Sequence, residues 1–114
     1  MKQMATTSQQ GVPYRPLGLI ASALENAGFQ QTFVYEDLVF VEYNAFLLRM
    51  EENGASVSLF FNVDSEMDKR EHIAHEIKQS GRNCNLDVIH RGSYRLTHDD
   101  EKESIDIAFF ESGL

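Results

Sequence analysis

The stretch "REHIAHEIKQ", Arg70 to Gln79, places two histidines three residues apart between Glu71 and Glu76. Imidazole and carboxylate at helical spacing is the chemistry of a metal site, so the first question is whether His72 and His75 share a face with a third ligand. Laid on a helix at about 100° per residue, Asp68, His72 and His75 fall in one stripe at i, i+4 and i+7. The pattern differs from the His-Glu-x-x-His zinc motif, in which histidines four apart share a helix face with a catalytic carboxylate. No fourth ligand follows from spacing, since His90 and His98 lie on strands of undetermined direction. The same wheel puts Met67, Ile73, Ala74 and Ile77 on the opposite, sheet-facing side. The histidines therefore belong to the solvated face, and no resident metal or other cofactor is expected. Arg70 projects from the middle of the apolar stripe, where a guanidinium needs a partner. It is the candidate for holding an anion or ligand.

Other chemistry is sparse. The lone cysteine, Cys84, has no partner for a disulfide and no adjacent base to activate it. Glu36, Asp37, Asp99 and Asp100 occupy polar turns, where solvation accounts for them. No glycine-rich phosphate loop, Gly-x-Ser-x-Gly elbow or Cys-x-x-Cys pair is present, and no nucleophile, base and orienter appear together. Catalysis is not indicated.

Composition sets the frame. A chain of 114 residues with 42% hydrophobic and 25% charged residues is sized and composed for one globular core. Ten Lys and Arg against 18 Asp and Glu give a net charge of -8, which disfavours nucleic acid and anionic membrane surfaces as partners. No apolar run reaches the length of a membrane span, and "MKQMATTSQQG" lacks the apolar centre of a secretory signal, so a cytoplasmic location is expected.

The elements that must position these residues follow from hydrophobic period. Residues 1–13 read as a polar leader and residues 14–114 as a single domain. After Pro16, the residues Leu17, Ile20, Leu24 and Ala27 form one helical stripe that Gly28 ends, with Phe29 folding back. From Gln31 the period becomes two. "QTFVYE" and "LVFVEY" form a hairpin turning at Glu36-Asp37. "AFLLRMEENGASVSLFFNV" turns at Asn53-Gly54, the dipeptide suited to a two-residue type I′ turn. That fold pairs Met50 with Val57, Leu48 with Leu59 and Phe46 with Phe61 on the core face. It pairs Leu47 with Phe60 and Arg49 with Ser58 on the other. A second helix is predicted over Ser65 to Gln79, capped by Asp64 or Ser65 and ended by Gly81. "LDVIHRGSYRLTH" and "SIDIAFFE" then read as strands around "DDEKE", with Gly92 splitting or bulging the first.

The fold expected is α+β, a two-layer sandwich. Its mainly antiparallel sheet has five to six strands with two helices on one face, in the order α-β-β-β(β)-α-β-β. The face left uncovered would expose Leu47, Arg49, Phe60, Ala108 and Phe110, a mixed aromatic patch of the kind that marks a protein interface. In element order and acidic charge the segment from Pro16 to Glu111 resembles the type III secretion chaperone-like domains. That resemblance implies a homodimer that holds extended partner segments and is not an enzyme. The function expected is thus a non-catalytic protein-interaction module, homodimeric, binding a partner through the exposed sheet face. The alternative is a small-molecule or metal-binding domain that uses the cavity between helix and sheet or the His72/His75 stripe.

Overall fold

The structure, a computed structural model, describes residues 16–111; the expected leader lies outside the described residues. Helix α1 spans Leu17–Asn26 and begins at Pro16, whose carbonyl accepts the first helical bond from the Ile20 amide. It ends where the Phe29 amide bonds back to the Leu24 carbonyl at 2.8 Å, which tucks Phe29 edge-on against Phe46. Four strands follow: β1 (Gln31–Tyr35), β2 (Leu38–Val41), β3 (Phe46–Met50) and β4 (Ser56–Asn62). Helix α2 (Met67–Asn83) crosses over to β5 (Asp87–Asp99), and β6 (Ser104–Glu111) closes the chain of elements. The six strands form one sheet in sequence order, antiparallel everywhere except between β4 and β5, which α2 joins as a parallel crossover. The α+β sandwich is as expected, with four strands ahead of the second helix.

The central hairpin keeps the expected register: Phe46 opposes Phe61, Leu47 opposes Phe60, Leu48 opposes Leu59, Arg49 opposes Ser58 and Met50 opposes Val57. Its turn is one pair wider than a two-residue loop. Strand pairing stops at Glu51 and Ser56, and of Asn53 and Gly54 only Gly54 has positive φ. The Asn53 side-chain oxygen accepts from the Ala55 and Ser56 amides, both at 2.9 Å. Two-residue and four-residue loops centred on the same dipeptide share one register, so the face assignment survives.

Helix α2 departs from expectation at both ends. It starts two residues later, at Met67, because the Ser65 hydroxyl is committed to the Asn62 carbonyl at 2.6 Å. Met67 therefore overhangs the sheet and is 77% exposed instead of facing the core. Gly81 does not end the helix. It lies inside the last turns, where an added Cβ would sit 2.7 Å from Val88 and 2.8 Å from the Leu86 carbonyl, so only glycine permits this approach to β5. The helix ends at Asn83, and beyond it Asn85 lies in the left-handed region at φ 62°, with the Leu86 amide bonding back to the Gly81 carbonyl.

The sheet is buried on both faces. On the helix side, Ile20, Ala23 and Leu24 of α1 and Ile77 of α2 pack on Val39, Phe46, Leu48, Leu59 and Phe61. A buried hydroxyl ties the helices together, as Ser80 Oγ donates to the Ala23 carbonyl at 2.6 Å. The opposite face carries a second core of Leu38, Phe40, Leu47, Phe60 and Tyr94, with Leu96, Ile107 and Phe109 packed against it. No helix of the described residues covers that face; the sheet curls over itself. The Phe40 ring on β2 meets the Tyr94 ring on β5 at 6.5 Å, and the Phe60 ring on β4 meets Phe109 on β6 at 4.7 Å. In a flat sheet three strand spacings would separate β2 from β5 by about 14 Å. This curl overturns the expectation that Leu47 and Phe60 lie on an open face, since both are completely buried.

A bulge sets which residues of β6 join this core. His90 pairs with Leu59 but Gly92 pairs with Phe60, so Arg91 is an extra residue. Without it, Phe60 would oppose Arg91, and the pairs Ser93–Phe110 and Arg95–Ala108 would carry Phe110 and Ala108 to the Phe60 face. The extra residue reverses the alternation, bringing Tyr94, Leu96, Ile107 and Phe109 inward and turning Ala108 and Phe110 to the convex side. Gly92 is required here, because a Cβ would lie 2.0 Å from the Phe110 carbonyl oxygen.

Candidate functional site

The curl brings the two edge strands, β1 and β6, to opposite walls of one cleft. Its volume is about 540 Å³. Phe33 and Tyr35 form the β1 wall, Ile105 and Ile107 the β6 wall, and Phe40 and Leu96 line it between them. Strand alternation produces this arrangement: Phe33 and Tyr35 oppose Phe40 and Leu38, whose side chains point into the second core. Phe33 stacks at a tilt on Phe40 with ring centroids 6.0 Å apart. The wall residues are not covered, for Phe33 is 57% exposed, Tyr35 53% and Ile105 64%.

Polar groups sit at the rim. Thr32, Asn44 and Glu103 complete the lining. The Asn44 carbonyl accepts a hydrogen bond from Tyr94 Oη at 3.3 Å, which anchors the β2–β3 connection to the second core. Burial pushes the Tyr94 phenol above its usual range, although a hydrogen bond with Asn62 works the other way. In that connection, the turn Glu42–Asn44, both Tyr43 (φ 64°) and Asn44 (φ 49°) have left-handed backbones, and Tyr43 is 91% exposed. Such a conformation is costly for an aromatic residue and holds the turn out from the sheet beside the cleft.

Beyond the apolar cleft the concave face carries a polar cluster. Ser58 Oγ donates to Glu51 Oε2 at 2.5 Å, Arg49 Nε donates to the same oxygen at 3.2 Å, and Arg91 Nε donates to Ser58 Oγ at 3.2 Å. Burial opposes ionisation of Glu51 most strongly. The bonds from Ser58 and Arg49 and the charges of Arg49 and Arg91 together outweigh it and hold the carboxyl below its usual range. Arg49 lies 4.9 Å from the Phe60 ring and 5.4 Å from the Phe109 ring, so it caps the second core and is not part of an open patch. Ser58 is fully buried, out of reach of any substrate. Phe110 is exposed on the convex side, where Arg95 lies over its ring at 5.3 Å. The five residues expected to share one exposed face are thus divided among a buried core, its cap and the opposite surface.

Arg70 has a definite set of partners. Its Nη2 donates to the carbonyls of Asn62, Val63 and Ser65 at 3.0, 3.3 and 3.2 Å, and Nε donates to Ser65 Oγ at 3.0 Å. The guanidinium thereby clasps the β4–α2 connection and lies 5.8 Å from the Phe61 ring. His75 lines a separate groove of about 570 Å³ together with Arg70, Lys78 and His90. Asp68 and His72 are exposed on α2. Among the described residues no three His, Cys, Asp or Glu side chains converge to hold a metal, so the expected stripe does not assemble.

The cleft was missed by sequence reasoning although its alternation, Phe33 with Tyr35 and Ile105 with Ile107, is plain in the sequence. What was lacking was the curl that brings the first and last strands together. No protein-family model matches the chain, and no curated protein or solved structure matches it either. No helix of the described residues is long and apolar enough to cross a membrane.

Proposed function

We propose that the protein is a non-catalytic interaction module that takes an extended segment of a partner protein into the cleft between β1 and β6. One observation carries the reading. Of the six exposed large apolar side chains among the described residues, Phe33, Tyr35 and Ile105 converge on this single cleft. Its volume suits a few side chains and would equally suit a small ligand. The walls favour a strand. Both are sheet edges, each with a row of main-chain N–H and C=O groups that an added strand would pair, and their apolar side chains recur at the strand period of two. Charge points to the composition of the segment. Glu103 is at the rim, Glu36 and Asp37 form the β1–β2 turn, and Asp99, Asp100 and Glu101 lie at the β5–β6 turn, where Lys102 is the one lysine or arginine and His98 Nδ1 lies 2.7 Å from Asp100. A segment with apolar residues at alternate positions and Lys or Arg between them complements this surface. The resemblance to secretion chaperone-like domains, expected from the order α-β-β-β-α-β-β, agrees in kind, since those domains hold extended segments, although four strands precede α2 here.

The test is selection from a random peptide library against the protein, followed by titration of the winners. Enriched peptides should show the alternating apolar and basic pattern and should lose about tenfold or more in affinity for the Phe33→Ser/Ile105→Ser variant. Both side chains are exposed, so that variant should fold normally. Peptides that bind the variant equally well would sink the proposal. Sedimentation decides whether a second copy is the occupant: a dimer dissociated by the same two substitutions would assign the cleft to self-association.

A further inference from the structure

We infer that the groove between α2 and β5 is a binding site for an organic anion, a phosphate or carboxylate head carried on an apolar body. The site is independent of the cleft and lies on the other face of the sheet. The groove is formed by Arg70, Glu71, His75 and Lys78 from α2, His90 from β5 and Phe61 from β4, with Ala74 and the overhanging Met67 beside them. In a chain of net charge -8, two permanent cations, Arg70 and Lys78, against the single acid Glu71 make a local reversal of sign, with the imidazoles of His75 and His90 beside them. Lys78 makes no ion pair among the described residues. Arg70 is held rigidly by Nε and Nη2 on the β4–α2 carbonyls, and its Nη1 has no hydrogen-bond partner among the described residues. A fixed guanidinium and an unpaired ammonium bordering one groove are preorganised for an anion. Ala74 and Met67 offer an apolar surface for the rest of the ligand, over the buried Phe61 ring, within a volume of about 570 Å³.

The state of His90 agrees with a positive field. Burial is the first cause of its lowered proton affinity, a hydrogen bond at Gly92 partly opposes it, and the charges of Lys78 and Arg70 lower it further. An anion in the groove would cancel that repulsion, so binding and protonation of His90 should favour one another.

Phenyl phosphate and phenylacetate serve as probes for the two head groups, with benzyl alcohol as the neutral control, followed through the imidazole NMR signals. His75 and His90 should shift saturably while His98, near the β5–β6 turn, stays still. Phenylacetate, ionised throughout, should bind more tightly at pH 6 than at pH 8, and affinity for either anion should fall about tenfold in Lys78→Gln. Phenyl phosphate binding more tightly than phenylacetate identifies the head as phosphate, and the reverse order identifies it as carboxylate. Lys78 is partly exposed, so the variant should fold; His75→Gln, at an exposed position on the groove, provides a second variant with the same expected direction. No saturable shift with either anion at millimolar concentration, equal shifts with benzyl alcohol, or affinity unchanged in both variants would overturn the inference.

Discussion

Phe60→Ala separates a sheet with one core from a sheet with two. Phe60 is completely buried on the face without helices, its ring 4.7 Å from Phe109 and capped by Arg49 at 4.9 Å. Removing a buried phenylalanine ring from a packed site costs about 3–5 kcal/mol, which combines lost transfer energy with the cavity left behind. The upper half of that range applies, because the backbone around the ring is held by pairing on both sides and the site cannot collapse easily. Arg49 also loses its aromatic platform, which adds up to about 1 kcal/mol. Set against a total stability of about 5–15 kcal/mol for a domain, the variant should be severely weakened. Urea unfolding followed by circular dichroism reads this directly: the midpoint should fall sharply with the slope m unchanged. Phe33→Ala, at a residue 57% exposed on the cleft wall, is the matched control and should cost less than about 1 kcal/mol. If both substitutions cost the same small amount, the concave face is a solvated surface and the curl of the sheet is refuted.

The remaining predictions concern other parts of the fold. Gly92→Ala should destabilise by at least about 2 kcal/mol, because its Cβ would collide with the Phe110 carbonyl and backbone cannot give way as a side chain does; thermal melting measures it. Arg70→Met keeps the stem but strips the clasp from three carbonyls, so it should cost about 1–3 kcal/mol, with Arg70→Lys recovering only part, because an ammonium cannot span the same acceptors. Stability should fall as pH drops through the ordinary imidazole value of 6.5. The unfolded chain takes up a proton there before His90 does in the fold, and His90→Gln should flatten that part of the profile. A second loss is expected as pH falls below the ordinary glutamate value of 4.5, since Glu51 stays ionised in the folded state to lower pH than in the unfolded chain; Glu51→Gln should remove it.

The parts of this fold legible in the sequence are those fixed by local period and turn chemistry. The central hairpin has strong alternation and a turn dipeptide, so its register follows from residues Phe46 to Phe61 alone. Helix α1 was legible at both ends for the same reason. Other features depend on contacts distant in sequence. Gly81 carries the signature of a helix stop, yet packing against Val88 and Leu86 keeps it inside the helix. A bulge at Gly92 was itself legible from the glycine, but its register against β4, which decides whether Phe109 or Phe110 turns inward, was not. Leu47 and Phe60 were assigned correctly to each other and incorrectly to solvent, because pairing is local while curl is a property of the whole sheet. The candidate cleft inherits that limit: its walls are the first and last strands.

The central claim is that β1 and β6 together receive an extended segment. Amide hydrogen exchange, measured with and without a saturating peptide chosen by library selection, tests it most directly. Exchange should slow at the outward-pointing amides of β1 between Gln31 and Tyr35 and of β6 between Ser104 and Glu111, where an added strand would supply the missing acceptors. Protection confined to α2, or to the convex surface around Phe110, with β1 and β6 unchanged, would contradict it.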